Sequence, residues 1–298
     1  MAQRIEIDAF GGPEQLQLRE FDPAAPGDGE LLVRQKAIGV NPFDWKLVSG
    51  QTVKQAPVFP VVPGMEGAGI VEAVGAGVDF AVGDEVITRQ YLGAFASHRI
   101  AKAVNTWAKP ESVGWEQAAA ISLAGATAWA ALTAAGVAAG DTVLIHNAAG
   151  GVGSAAVQIA RHLGARVIGT ASVKNHEYLR ELGAMPVEYG DGLVERVRAL
   201  GNVTASVDFV GDAGAVATTT ALIADLSRAS TAAGTPESDA AGIVRLKATP
   251  DDSARAIQLA ANGGLTLEIS RQFSLAEAAS ALALSRDGHV RGKIVLTI

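Results

Sequence analysis

The sequence encodes an α/β chain in two parts, a mostly-β, barrel-like domain and a doubly wound parallel-sheet domain. Three observations point there. The first hundred residues hold short apolar runs separated by Gly, Pro and Asp clusters. From Glu116 onward the pattern changes to long helices alternating with apolar strands, and residues 291–298 return to a strand pattern. The expected bounds are 1–115 with 265–298 for the first domain and 116–264 for the second, which makes the second an insertion into the first.

Composition supports a packed chain. Its 298 residues are 49% hydrophobic and 18% charged, enough for a sizeable core. A formal charge of −7 with no basic run argues against a nucleic-acid or anionic-membrane surface. There is no cysteine, so disulfides and thiolate zinc sites are excluded. The opening Met1-Ala2-Gln3-Arg4-Ile5-Glu6 lacks the apolar centre of a signal peptide. Ser122, Gly125, Thr127, Thr133 and Gly136 interrupt the Ala-rich stretch 118–139, which reads as a soluble helix rather than a span. The expectation is a cytoplasmic protein without membrane or nucleic-acid partners.

Taken in order, residues 30–35, 69–74 and 84–88 read as strands. Turn signals separate them at 26–29, 62–64 and 82–84, and no helical period dominates. Residues 142–146 form the first strand of the second domain, followed by a glycine loop and a helix over 154–163. A strand at 166–170, a helix over 175–182 and a strand at 206–210 continue the alternation.

The loop Ala148-Ala149-Gly150-Gly151-Val152-Gly153 leaves a strand and opens a helix. That context turns a weak glycine pattern into a dinucleotide-binding one, with Gly150 allowing close approach of a pyrophosphate and Gly153 close helix–sheet packing. The free N–H groups of the helix start then face the phosphates. Ala148 stands where the fingerprint has its first glycine, and an ordinary tight turn is the competing reading. The next strand ends Gly169-Thr170-Ala171-Ser172-Val173-Lys174, with no acid before Glu177. A carboxylate there would bind a ribose 2′-hydroxyl, whereas Ser172 and Lys174 suit a 2′-phosphate. NADPH is therefore expected over NADH, against the alternative that Lys174 is a solvated first-turn residue.

These residues carry a resemblance. Gly140 and Asp141, then Leu144, the glycine loop, Gln158 and Arg161 resemble the signature of quinone oxidoreductases of the zeta-crystallin type, in the medium-chain dehydrogenase/reductase superfamily. Gly64-Met65-Glu66-Gly67-Ala68-Gly69 is similar to that superfamily's Gly-His-Glu-x-x-Gly motif, and Gly39-Val40-Asn41-Pro42-Phe43-Asp44 resembles a Val-Asn-Pro-x-Asp element. The runs 123–129, 208–211 and 288–293 also fit, so the likeness spans nearly the whole chain. It implies a GroES-like domain with a Rossmann domain, the nicotinamide at the cleft between them, and a homodimer formed through a Rossmann sheet edge. It further implies cofactor contacts from Thr127, Ala149, Gly150, Gly151, Val152, Gly153, Val210, Tyr189 and Arg286. Zinc-dependent relatives place a cysteine at Asn41, a histidine at Met65 and a cysteine near Leu123. With those absent, and with five histidines that show no ligand spacing, no metal is expected. The chain departs from the pattern in a short 86–94 loop, at 224–228 and over 234–246.

Without a Lewis acid, quinones and conjugated carbonyls are the acceptors best matched to hydride, because conjugation spreads the charge. Asn41 is a candidate hydrogen-bond donor at the reacting carbonyl or nicotinamide, against a turn-capping role before Pro42. Tyr91 is a candidate proton or hydrogen-bond donor, against an exposed loop tyrosine. Asp44 reads as a helix cap. Phe43, Trp45, Phe95 and Trp129 are candidates for an apolar acceptor slot, against a place in the core. A nucleotide-binding sensor or structural protein with little turnover is the second reading, and a zinc alcohol dehydrogenase the third.

Overall fold

The computed structural model describes residues 1–52 and 57–298. The chain divides into two compact units, Met1–Leu123 with Glu268–Ile298, and Ala124–Leu267.

The first unit opens with β1 (Ala2–Glu6) and β2 (Gln17–Phe21), an antiparallel pair. The 11-residue β3 (Glu30–Val40) runs into α1 (Pro42–Val48), where Pro42 at the first helical position costs no hydrogen bond. Apart from the helix cap read at Asp44, the sequence showed no helical period for this short helix, because seven residues are too few to establish one. β4 (Glu66–Val74), β5 (Glu85–Arg89), β6 (His98–Lys102) and β7 (Thr106–Ala108) follow. The boundary between the units falls within α2 (Trp115–Ala134). Among the described residues no helix is long and apolar enough to cross a membrane.

The second unit alternates strand and helix: β8 (Thr142–His146), α3 (Gly151–His162), β9 (Arg166–Thr170), α4 (His176–Glu181), β10 (Met185–Val187) and α5 (Leu193–Leu200). β11 (Ala205–Asp208), α6 (Ala213–Leu222), β12 (Ala229–Thr231), α7 (Pro236–Ala241), β13 (Val244–Arg245) and α8 (Pro250–Ala261) complete it. Every pairing is parallel, in the order β10-β9-β8-β11-β12-β13. The chain builds outward from β8 in one direction and from β11 in the other. Their boundary is the topological switch point at which a doubly wound sheet opens a crevice.

β14 (Ile269–Ser274), α9 (Ala278–Asp287) and β15 (Lys293–Thr297) return to the first unit. They complete a seven-stranded sheet ordered β14-β15-β3-β4-β5-β7, with β6 also on β3. The length of β3 allows this: residues 30–34 pair with β6, and 37–40 with β15. Ile38, Val40, Leu47, Phe95, Leu282 and Leu296 share one buried cluster, which ties α1 and α9 to this sheet.

Candidate functional site

The glycine loop leaves β8 beside the switch point. Gly150 is the N-cap of α3, in extended conformation, and no side chain caps that helix start. Its first-turn N–H groups are thus left for an anion. Gly153 is a packing requirement, since a Cβ there would lie 2.0 Å from the Asn147 carbonyl oxygen. Ala148 is fully buried in place of the usual first glycine. The neighbouring strand makes room for its methyl group, because a Cβ on Gly169 would lie 2.7 Å from it. Asn147, which sequence reasoning passed over, takes a left-handed φ of 57° and donates its N–H to Thr170 Oγ1 at 3.0 Å.

The other candidates of this unit gather on the same strand ends. Ala149, Gly151 and Val152 complete the loop after β8. Half-buried Ser172 and exposed Lys174 follow β9, exposed Tyr189 follows β10, and exposed Val210 follows β11. The Ser172 hydroxyl accepts from Asn175 Nδ2 at 3.4 Å, and the Val210 N–H donates to Asp208 Oδ1 at 2.8 Å. Asp208 also takes the Gly211 N–H, so this carboxylate shapes the turn. Beside it, burial lowers the His146 imidazole below its ordinary range, with Asp208 and Asp212 opposing. Thr127 is half-buried in α2. Arg286 sits on α9 in the first unit, 3.7 Å from Asp287. The residues in place suit a dinucleotide phosphate, with uncapped N–H groups at α3, a loop a Cβ would obstruct at Gly153, and no carboxylate in the turn after β9.

Asn41 belongs to a buried polar cluster of the first unit. Its amide nitrogen donates to Glu66 Oε1 at 3.1 Å and its amide oxygen accepts from Lys293 Nζ at 2.5 Å. Lys293 Nζ also donates to Glu66 Oε1 at 2.9 Å and to the Val40 carbonyl at 3.2 Å. The second Glu66 oxygen takes Ser122 Oγ at 2.8 Å and the Leu123 N–H at 2.7 Å. Gly39 leaves room for this, as a Cβ would be 2.6 Å from Glu66 Oε1. The amide that sequence reasoning aimed at a substrate therefore spends its hydrogen bonds inside the protein. Asp44 Oδ2 accepts the Asn41 N–H at 2.8 Å, the cap read from the sequence. Burial pushes its carboxyl up to about 7, aided by Glu66 and opposed by the Asn41 N–H and Lys293.

Glu66 and Lys293 entered the sequence reading only as members of motifs, with no role of their own. The available signal was a charge at the start of each of two largely apolar strands, which burial permits only with a partner. The donor set at this place is an amide, a thioether and an aliphatic chain (Asn41, Met65, Leu123), which does not suit zinc. Among the described residues, no three His, Cys, Asp or Glu side chains gather to hold a metal.

Tyr91 is exposed on the segment between β5 and β6, and its ring meets that of Phe43 edge-on, centroids 5.6 Å apart. The helix that Asn41 starts thus brings Phe43 to Tyr91. Phe43 and Trp45 are half-buried against the core. Phe95 departs from the slot expected of it: it is fully buried, and Gly64, with φ 92°, admits its ring where a Cβ would be 2.3 Å away. Trp129 belongs to the second unit, tilted against His162 with Arg255 over its face. Two further buried residues missed in the sequence are Arg99 and Gln35. Burial lowers the guanidinium of Arg99 to about 9, which leaves it charged at neutral pH.

Residues 27–111 match the alcohol dehydrogenase GroES-like domain, and residues 151–249 match the family described as zinc-binding dehydrogenase. A quinone oxidoreductase of Pseudomonas aeruginosa is 43% identical over 175 residues, covering 58% of this chain and 53% of that protein. The chain spans about half the length of the first curated relatives it matches. Solved structures align throughout. The quinone oxidoreductase of Pseudomonas syringae pv. Tomato gives a TM-score of 0.86 at 32% identity over 100% of both chains. That of Escherichia coli, complexed with NADPH, gives 0.84 at 29% identity over 99% of this chain and 100% of the other. With its GroES-like and Rossmann parts and these relatives, the chain belongs to the quinone oxidoreductases of the medium-chain dehydrogenase/reductase superfamily.

Proposed function

We propose that the chain is an NADPH-dependent oxidoreductase that transfers hydride to quinones or α,β-unsaturated carbonyls without zinc. The observation that carries this is the set of strand ends around the β8/β11 switch point: an uncapped α3 start, the glycine loop, and Ser172 with Lys174 in place of a ribose-binding acid. The family relatives support the quinone acceptor, and the NADPH complex of the Escherichia coli protein supports the cofactor.

In this reading the α3 N–H groups bind the pyrophosphate, Ser172 and Lys174 bind the 2′-phosphate, and Tyr189 flanks the adenosine. Thr127 and Val210 adjoin the nicotinamide end, and Arg286 supplies a further cation to the phosphates. NADPH supplies the hydride when bound. Tyr91 donates a hydrogen bond to the oxygen on which charge develops, and the Phe43 ring supports its phenol. Asn41 serves the acceptor side indirectly, by starting the helix that carries Phe43.

NADPH oxidation by purified, metal-analysed protein with 1,4-benzoquinone and a simple enone, with NADH controls, tests this. Turnover with NADPH, weak activity with NADH and no bound zinc are expected, and the faster acceptor names the reaction. Tight NADPH binding with no turnover of either acceptor would favour the sensor reading instead.

A further inference from the structure

We propose that Arg99 and Gln35 are positioning residues for Tyr91: from buried sites their side chains grip alternate carbonyls of the segment that presents the tyrosine to Phe43. Arg99 Nη2 donates to the Leu92 carbonyl at 2.9 Å, and Gln35 Nε2 donates to those of Ala94 and Ala96 at 2.7 and 2.6 Å. The carbonyls at 92, 94 and 96 are thus all held by side chains reaching up from β6 and β3. Arg99 Nη1 reaches Thr88 Oγ1 at 3.3 Å and the Met65 carbonyl at 3.4 Å, which ties the same guanidinium to β5, just before the segment, and to the start of β4. The inference rests on the proposed role of Tyr91.

The choice of residue is costly if it serves the core alone. Arg99 is 4% exposed and makes no ion pair among the described residues, and its Nε has no partner. It faces Val33 across the β3–β6 pairing, in a region otherwise lined by Leu31, Val71, Val86 and Ala101. An apolar side chain would pack there without desolvating a charge. Gln35 shows the same pattern. It is 1% exposed, its Oε1 has no partner, and Gly67 leaves room for that oxygen, which would lie 2.0 Å from a Cβ there. Both residues trade unsatisfied polar atoms for bonds to one irregular segment. Backbone bonds to Val62, Pro63 and Gly64 hold Gly93, Phe95 and Ala94, and the Gln90 N–H donates to the Met65 carbonyl; at Leu92, on the other side of the phenol, the Arg99 bond is the shorter of two side-chain bonds to the carbonyl, with Gln90 Nε2 at 3.5 Å.

The chain has three tyrosines, so protein labelled with 3-fluorotyrosine gives three fluorine resonances, and Tyr91→Phe identifies one of them. In Arg99→Met the Tyr91 line should move toward the position of free tyrosine while those of Tyr178 and Tyr189 stay fixed. Arg99→Lys, which keeps the charge but cannot bridge Met65 and Leu92 together, should give a smaller movement. Gln35→Leu gives a second route to the same readout if Arg99→Met does not fold. A folded Arg99→Met with an unmoved Tyr91 line, or one in which all three lines move together, overturns the proposal. Turnover separates this from the proposed function. Arg99→Met should lower kcat on the order of tenfold in the parent and have no further effect in Tyr91→Phe, with NADPH affinity unchanged in both. A Tyr91→Phe enzyme with parental kcat removes Tyr91 from the chemistry, while the fluorine line still decides whether Arg99 positions it.

Discussion

Asp44 shows how one buried carboxyl ties stability to pH. Its folded value, about 7, lies above the ordinary 3.8, so folding favours the neutral acid. The sign follows from linkage: this stabilisation is complete below about pH 4 and is lost as pH rises through about 7. Asp44→Asn keeps an acceptor for the Asn41 N–H but carries no charge. Chemical unfolding at pH 5 and pH 8 should show the variant gaining on the parent at the higher pH, by up to about 2.5 kcal/mol; a pH-independent difference would remove Asp44 as the cause. Lys293→Met should cost about 3–5 kcal/mol, because it strands the fully buried Glu66 charge, and adding Glu66→Gln should recover part of that loss. At Ser172 and Lys174, replacing both by alanine should weaken NADPH binding about 10–100-fold and leave NADH binding nearly unchanged, as titration of each cofactor by fluorescence would reveal.

Among the secondary elements, the strands β8 and β9 were legible residue for residue, because short runs with an apolar, β-branched centre between turn signals admit few alternatives. The glycine loop was legible for a similar reason, as its neighbours specify its place. What the sequence concealed was contact across elements. Nothing in the order of residues reveals that Ala148 is tolerated because Gly169 lies across from it. Glu66 and Lys293 stand 227 positions apart, and Arg99 reads as one more charge on an exposed strand until its burial is known. The Ala148–Gly169 contact gives a compensation test: Gly169→Ala should cost about 1–3 kcal/mol by overpacking, and Ala148→Gly in the same chain should restore most of it. Additive losses in thermal unfolding would show that the two positions do not share the space.

Over the whole chain, the two units meet different demands. Candidate cofactor residues other than Arg286 lie in Ala124–Leu267, whereas the Asn41–Glu66–Lys293 cluster, Arg99 and the Tyr91 segment lie in the first unit. A cofactor that binds only the folded protein adds about 2.7 kcal/mol of stability at a hundredfold excess over Kd, or roughly 4 °C in a chain of this size. NADPH at that excess should therefore raise the thermal midpoint, and the same concentration of NADH should raise it less. Equal shifts would remove the proposed preference. The acidic balance of the chain means that such binding depends on local N–H groups and a few cations, so the NADPH effect should weaken as salt rises.

The pairing of Lys293 with Glu66 also bears on the order in which the molecule is made. On the ribosome β3 and β4 emerge early, with Glu66 already on an apolar strand and the β15 edge of β3 open. Residues 124–267 are translated next and contain a complete six-stranded sheet, which is free to fold in the meantime. Only when β15 arrives does the waiting carboxylate receive its ammonium and the open edge its neighbour. The first unit to begin is thus the last to finish, and a nascent chain halted before Lys293 holds an unmatched charge and an unpaired strand, both marks by which quality control can distinguish it from the finished protein.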